Sequence, residues 1–134
     1  MIFALRVLVG LAVAAASLAL AAALYPVSLY GGLAALAAGL LWLSVLRHGN
    51  QRVADLGLFL LVIGAIWGGL QGVGWGWLLA VATCALAGWD LSHFLSHLQA
   101  APERQEEQAL VVRHLLRLAG VVLGSWLLVA LIQM

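Results

Sequence analysis

Five stretches of this chain are apolar and long enough, or nearly so, to cross a lipid bilayer as helices. They run over residues 7–25, 27–46, 53–70, 74–97 and 104–133, and one crossing requires about 20 mostly apolar residues. Short polar or turn-forming segments separate them. We therefore expect an all-α fold, a polytopic integral membrane bundle of five transmembrane helices that forms one domain over residues 1–134.

The composition excludes an ordinary water-soluble domain. Hydrophobic residues make up 66% of the chain and charged residues 8%, whereas soluble domains carry about 25% charged residues. A surface with so few charges would expose large apolar patches to water, so the lipid bilayer is the expected surrounding. The net charge of +1 gives no basis for nucleic-acid binding. The single cysteine, Cys84, excludes an intramolecular disulfide.

The arginines predict the orientation in the membrane. If the N-terminus is cytoplasmic and the five helices alternate, every arginine of the chain falls on the cytoplasmic side: Arg6, Arg47, Arg52, Arg104, Arg113 and Arg117. Because Lys and Arg concentrate in cytoplasmic segments, we expect an N-in, C-out protein of the inner (plasma) membrane. We expect the first helix to be kept rather than cleaved as a signal peptide, because the next segment is another span.

The end of the fourth span places ionisable residues in an otherwise apolar chain. Asp90, His93 and His97 are three and four residues apart, so they share one face of a helix. Counting from the outer helix ends puts Asp90, Asp55 and Arg117 in one layer near the inner membrane edge. We expect Arg117 to bridge to Asp90, with Asp55 as a second candidate partner. Asp55 has the alternative of capping the start of the third helix.

These positions predict a polar cluster at the cytoplasmic edge of the last two helices. Its residues are Trp89, Asp90, His93, His97, Asp55, Glu107, Arg113, His114 and Arg117. No catalytic or cofactor-binding residue is assigned, because Ser92 and Ser96 each precede a histidine directly and so lie on a different helix face.

Metal binding is the alternative use of this cluster. His93, His97, His114 and Asp90 have the side chains that bind zinc or iron, and a b-type haem between His93 or His97 and His114 is a further alternative. The spacing D-x-x-H-x-x-x-H could hold a metal, but the sequence has no HExxH motif and no cysteine pair that would support metal binding. We therefore assign no metal and no cofactor, and favour histidines that form hydrogen bonds at the membrane interface.

Residues 100–108, AAPERQEEQ, are the longest polar segment and include the start of the last span. Pro102 followed by Glu103 is typical of a helix start, so the fifth helix is expected to begin outside the membrane. We expect a solvated helical end, with a docking surface for a partner as the alternative. Two GxxxG motifs, Gly64–Gly68 and Gly120–Gly124, permit close helix packing, within the bundle or between copies.

The last third of the chain, from Gly88 to Gly124, resembles a family of multi-span membrane proteins of haloarchaea. The resemblance rests on the pair Trp89-Asp90, followed in order by Arg104, Glu107 and His114. Members of that family have no assigned activity and are encoded beside MoxR-type ATPases and von Willebrand-like domain proteins. The resemblance implies an accessory membrane component of an ATPase-linked assembly. The connection AAPERQEEQ departs from the family pattern.

Three hypotheses about function follow. The first, which we favour, is a non-enzymatic scaffold or accessory subunit of a membrane assembly, with a membrane-protein partner or a second copy. The second is a small transporter or proton-conducting channel, since intramembrane acids and histidines form proton relays. The third is a metal- or haem-dependent membrane protein.

Overall fold

The computed structural model of the chain is all-α. It describes residues 2–48, 51–100 and 107–134, with side chains over 3–44, 51–100 and 108–134. These residues form five helices: α1 (Ile2–Leu24), α2 (Leu29–His48), α3 (Gln51–Leu70), α4 (Trp75–Ala100) and α5 (Glu107–Gln133).

Each predicted span corresponds to one of these helices. The helix α1 begins at Ile2 rather than at residue 7, because Phe3 and Leu5 continue the apolar stretch and an arginine is a good helix former. The predicted start of the fifth span, at residue 104, lies outside the described residues. Four helices, α1, α3, α4 and α5, are long and apolar enough to cross a membrane, and the apolar part of α2 covers Leu29–Ser44.

The turn between α3 and α4 is formed by a glycine. Gly72 has a φ of +86°, in the left-handed region that side chains with a Cβ disfavour. The amide of Val73 donates to the carbonyl of Gly68 at 3.0 Å, and the amide of Gly72 donates to Gly69 at 3.1 Å. This pair of hydrogen bonds is the Schellman pattern that ends many helices, and it reverses the chain without any charged residue.

The turn between α1 and α2 is formed by a proline and a serine. Pro26 disfavours helical geometry at Tyr25, and α1 ends one residue earlier, at Leu24. The hydroxyl of Ser28 then accepts a hydrogen bond from the amide of Gly31 at 3.3 Å. Ser28 is therefore the N-cap of α2, the role for which serine is favoured.

The chain divides into two compact units, residues 1–97 and residues 98–134. In the first unit, α1, α2 and α3 pack against one another. The helix α1 contributes a buried stripe whose members recur every three or four residues: Leu5, Val9, Val13, Ala16, Leu20 and Leu24. That spacing keeps the side chains on one helix face, so α1 forms the core of this unit.

Glycines allow the helices of the first unit to approach closely. A Cβ placed on Gly64 would lie 2.8 Å from Leu20, and one on Gly68 would lie 3.1 Å from Leu24. The GxxxG motif of α3 therefore packs within the unit, against α1. A Cβ placed on Gly88 of α4 would likewise lie 3.0 Å from the side chain of Val13 on α1, so α4 packs against the same core helix.

Trp42 is the largest fully buried side chain of the first unit, at 1% exposure. Its ring lies against Gly57 of α3, where an added Cβ would come within 3.0 Å of two ring carbons of Trp42. Its indole Nε1–H is buried and has no hydrogen-bond partner among the described residues. Leaving such a donor unpaired costs about 1–3 kcal/mol.

The second unit contains α5. Several of its large apolar side chains are exposed, with Leu116, Leu123 and Leu127 all above 60%. Its Ser125 donates to the carbonyl of Val121 one turn earlier, at 2.8 Å. The basic residues Arg113 and Arg117 lie in the first half of the helix, and the second half carries no charge.

Candidate functional site

The residues of the predicted polar cluster are distributed over three helices. Asp55 lies on α3, and Trp89, Asp90, His93 and His97 lie on α4. Arg113, His114 and Arg117 lie on α5, which begins at Glu107. The side chain of Glu107 and the whole of Arg104 lie outside the described residues. The Asp90–Arg117 ion pair stays a prediction, because Arg117 belongs to the second unit.

Asp55 is joined to Trp89. The indole Nε1–H of Trp89 donates to Oδ1 of Asp55 at 2.8 Å, so the two side chains connect α4 to α3. Asp55 is the fifth residue of α3, and the first turn of that helix holds no acidic residue. The alternative in which Asp55 caps α3 is therefore wrong, since a carboxylate one turn inside the helix lies beyond the free amides of the first turn.

His93 contacts α3 through both of its ring nitrogens. Nδ1 lies 2.7 Å from Nε2 of Gln51, and Nε2 lies 3.6 Å from Oδ1 of Asp55. The imidazole also lies beside the indole of Trp89, with ring centroids 4.3 Å apart and planes at 48°. We call these four residues, Gln51, Asp55, Trp89 and His93, the His93 cluster.

The His93 cluster is partly open to its surroundings. The side chain of His93 is 31% exposed and that of Asp55 is 54% exposed, while Gln51 and Trp89 are half-buried. Water or lipid headgroups can therefore reach the cluster.

The two serines beside the histidines bond to the backbone of their own helix. Ser92 donates to the carbonyl of Gly88 at 2.6 Å, and Ser96 donates to the carbonyl of His93 at 2.8 Å. Neither hydroxyl is aligned with a histidine as a nucleophile with its base would be.

The metal hypothesis receives no geometric support. Within the part of the chain that the structure describes, no three His, Cys, Asp or Glu side chains lie close enough to hold one metal ion. Of the candidates, His93 lies against Gln51 and Asp55, and His97 is exposed one turn further along α4. Two protein ligands fall short of the three or four that zinc sites use.

Gln51 is the member of the site that the sequence analysis missed. It lies four residues before Asp55, so the two side chains share one face of α3. The face of α4 that meets them carries Trp89 and His93, which are also four residues apart. The sequence signal for this site is therefore a four-residue spacing of polar side chains on α3, matched by the same spacing on α4.

Comparisons with known proteins give no relative for this chain: no protein family, no curated protein and no solved structure matches it significantly.

Proposed function

We propose that this protein is a non-enzymatic scaffold or accessory subunit of an assembly in the plasma membrane. In this proposal all five helices cross the bilayer, with the N-terminus and every arginine on the cytoplasmic side. Large apolar side chains are exposed on the outer faces of the first unit, among them Leu40 at 70%, Phe59 at 61% and Ile66 at 62%. Such faces are suited to lipid chains or to another membrane helix.

The observation that carries the proposal is that serine and threonine hydroxyl groups in the helices donate hydrogen bonds to backbone carbonyls. Ser17 of α1 donates to the carbonyl of Ala35 in α2 at 2.9 Å. Thr83 donates to the carbonyl of Leu79 at 2.9 Å, and Ser92 and Ser125 bond to their own helices in the same way. Because these hydroxyl groups bond to backbone carbonyls, they do not line a hydrophilic path, and this favours a structural role over transport.

The proposed partner is a membrane protein or a second copy of this chain, in addition to the bilayer itself. Nucleic acid is not a partner in this proposal, because the net charge is only +1. The long apolar helix α5 offers a surface for association within the membrane. The resemblance of the last third to membrane proteins encoded beside MoxR-type ATPases supports the same class of function.

Extraction in native lipid tests this proposal. The tagged chain would be isolated from its own membrane in polymer-bounded lipid discs and analysed by native mass spectrometry. A second copy with a different tag, expressed together with the first, separates self-association from a different partner. The proposal predicts a complex larger than one chain. A solitary monomer with lipid alone, at the native expression level, would contradict it.

A proton-conducting channel is the second candidate function. The 3.6 Å separation between His93 and Asp55 favours it, since carboxylates and histidines together form proton relays. Purified protein in liposomes with a pH gradient discriminates the two functions. The scaffold proposal predicts no flux above that of empty liposomes. Proton flux that vanishes in Asp55→Asn or Asp90→Asn, and persists in His97→Gln, would favour the channel.

A further inference from the structure

One end of the first unit carries exposed aromatic side chains and no charge. The α1–α2 turn and the α3–α4 turn both lie at this end, since a Cβ placed on Gly31 of α2 would come within 2.8 Å of the ring of Trp67 on α3. Residues 7–46 and 56–89 contain no charged residue, so both turns connect their helices without any ion.

Four aromatic residues at these turns form a surface that we call the aromatic end: Tyr25, Tyr30, Trp67 and Trp75. Tyr30 is 83% exposed, Trp75 is 77% exposed and Tyr25 is 65% exposed. Tyr and Trp combine an apolar ring with a polar O–H or N–H, and they are enriched where lipid meets water. The exposed rings therefore fit the boundary of a bilayer better than bulk water.

Backbone amides of both turns are paired within the protein. In the α1–α2 turn the amides of Val27 and Ser28 both donate to the carbonyl of Leu24, at 3.0 and 2.8 Å, and Pro26 has no N–H. In the α3–α4 turn the three amides after Leu70 donate to carbonyls of α3. Because a paired amide loses little when it leaves bulk water, these turns can lie in a lipid layer.

The length of α3 places the α3–α4 turn at the depth of the lipid headgroups. From Arg52 to Leu70 the helix rises about 27 Å, and the hydrocarbon core of a bilayer is about 30 Å thick. A charge is costly inside this core, so Arg52 lies at or beyond one of its boundaries. Leu70 then reaches no further than the opposite boundary. Residues 71–74 fall in the headgroup layer, which adds about 5–8 Å on each side.

We propose that the aromatic end lies in the headgroup layer, and that its partner is the lipid surface itself and not a water-soluble protein. The indole N–H of Trp75 and the hydroxyls of Tyr25 and Tyr30 donate to ester and phosphate oxygens, while the rings pack on the acyl chains. The headgroup layer is hydrated, so Gln71 stays accessible to water-soluble reagents. This inference rests on the membrane location in the proposed function and holds with or without the scaffold role.

Spin-label accessibility measures the depth of this end. In a Cys84→Ser chain held in lipid nanodiscs, a nitroxide would be attached at Gly74→Cys, next to Trp75, where an added Cβ has no atom of the described residues within 4 Å. Its collisions with oxygen, which concentrates in lipid, and with a water-soluble nickel chelate would be compared with those of two references. Phe59→Cys, exposed in the middle of α3, represents the hydrocarbon core. Gln99→Cys, exposed at the polar end of α4, represents water.

The label at Gly74→Cys is expected between the two references, with several-fold less nickel contact than at Gln99→Cys and less oxygen contact than at Phe59→Cys. Nickel contact equal to that at Gln99→Cys would overturn the inference, because the turn would then project into water. Little contact with either reagent would also overturn it, because protein would then cover the turn. A label at Phe59→Cys that meets more nickel than oxygen would show instead that the membrane location itself is wrong.

Fluorescence quenching tests the position of the Trp75 ring in a chain that is otherwise unaltered. Bromine quenches tryptophan emission on contact, and it can be placed in the lipid either next to the headgroup or at the chain end. Trp75→Phe should reduce the emission that is lost to bromine next to the headgroup and leave the loss to bromine at the chain end unchanged. If the loss to bromine next to the headgroup is the same in both chains, the ring is not in the headgroup layer.

Discussion

The indole Nε1–H of Trp89 donates to the carboxylate of Asp55 at 2.8 Å, and this hydrogen bond joins α4 to the second turn of α3. It satisfies a donor and an acid that would each be costly to leave unpaired in apolar surroundings. It also holds the Asp55 carboxylate where His93 can approach it.

Removing this hydrogen bond is expected to destabilise the first unit modestly. Trp89→Phe and Asp55→Ala should each cost about 1 kcal/mol of unfolding free energy, because hydrogen bonds to charged groups contribute about 1.5–3 kcal/mol and the half-exposed Asp55 is screened. Reversible unfolding in lipid, with the double variant included, measures their coupling. Trp77→Phe, at an exposed position of α4, is the control. Full additivity of the two changes would show that the bond contributes nothing.

Gly39 of α2 is expected to tolerate no side chain. A Cβ at this position would collide with the side chain of Ser17 on α1, so Gly39→Ala must separate α1 from α2. Overpacking of this kind typically costs about 1–3 kcal/mol. Gly76→Ala is the matched control, since no atom of the described residues lies within 4 Å of a Cβ there. Equal unfolding temperatures for the two variants would show that α1 and α2 do not pack at Gly39.

Ser17 and Thr83 are expected to respond differently to loss of their hydroxyls. Ser17 bonds across to the carbonyl of Ala35 on another helix, whereas Thr83 bonds to the carbonyl of Leu79 on its own helix. Interhelical hydrogen bonds in membrane proteins contribute about 0.6 kcal/mol on average. Ser17→Ala should therefore lower the unfolding free energy more than Thr83→Val, measured in the same lipid. The reverse order would contradict the α1–α2 contact.

The sequence predicts the helices well because their ends are set by local chemistry. Pro26 and Ser28 define one turn, and Gly72 defines another. These signals act over a few residues, so they are visible without any knowledge of packing. The apolar length of each stretch adds the expectation of membrane-spanning helices, which four of the described helices satisfy.

The His93 cluster was only partly predictable, for a different physical reason. The sequence predicts that Asp55, Trp89 and His93 lie near one membrane edge, but their pairing depends on the rotation of α3 and α4 about their axes. Apolar residues surround both helices, so periodicity gives little information about which face turns inward. Gln51 was missed because an uncharged amide at a helix end resembles an ordinary surface residue.

The central claim is that the chain has five spans and a cytoplasmic N-terminus. The most direct test measures from which side of the membrane two introduced cysteines can be labelled. In a Cys84→Ser chain, Gln71→Cys and Gln99→Cys would be labelled in intact cells with a maleimide that does not cross membranes; both positions are exposed. The account predicts that Gln71→Cys reacts from outside, and that Gln99→Cys reacts only after the membrane is permeabilised. Labelling of both from the same side, or the opposite pattern, would contradict it.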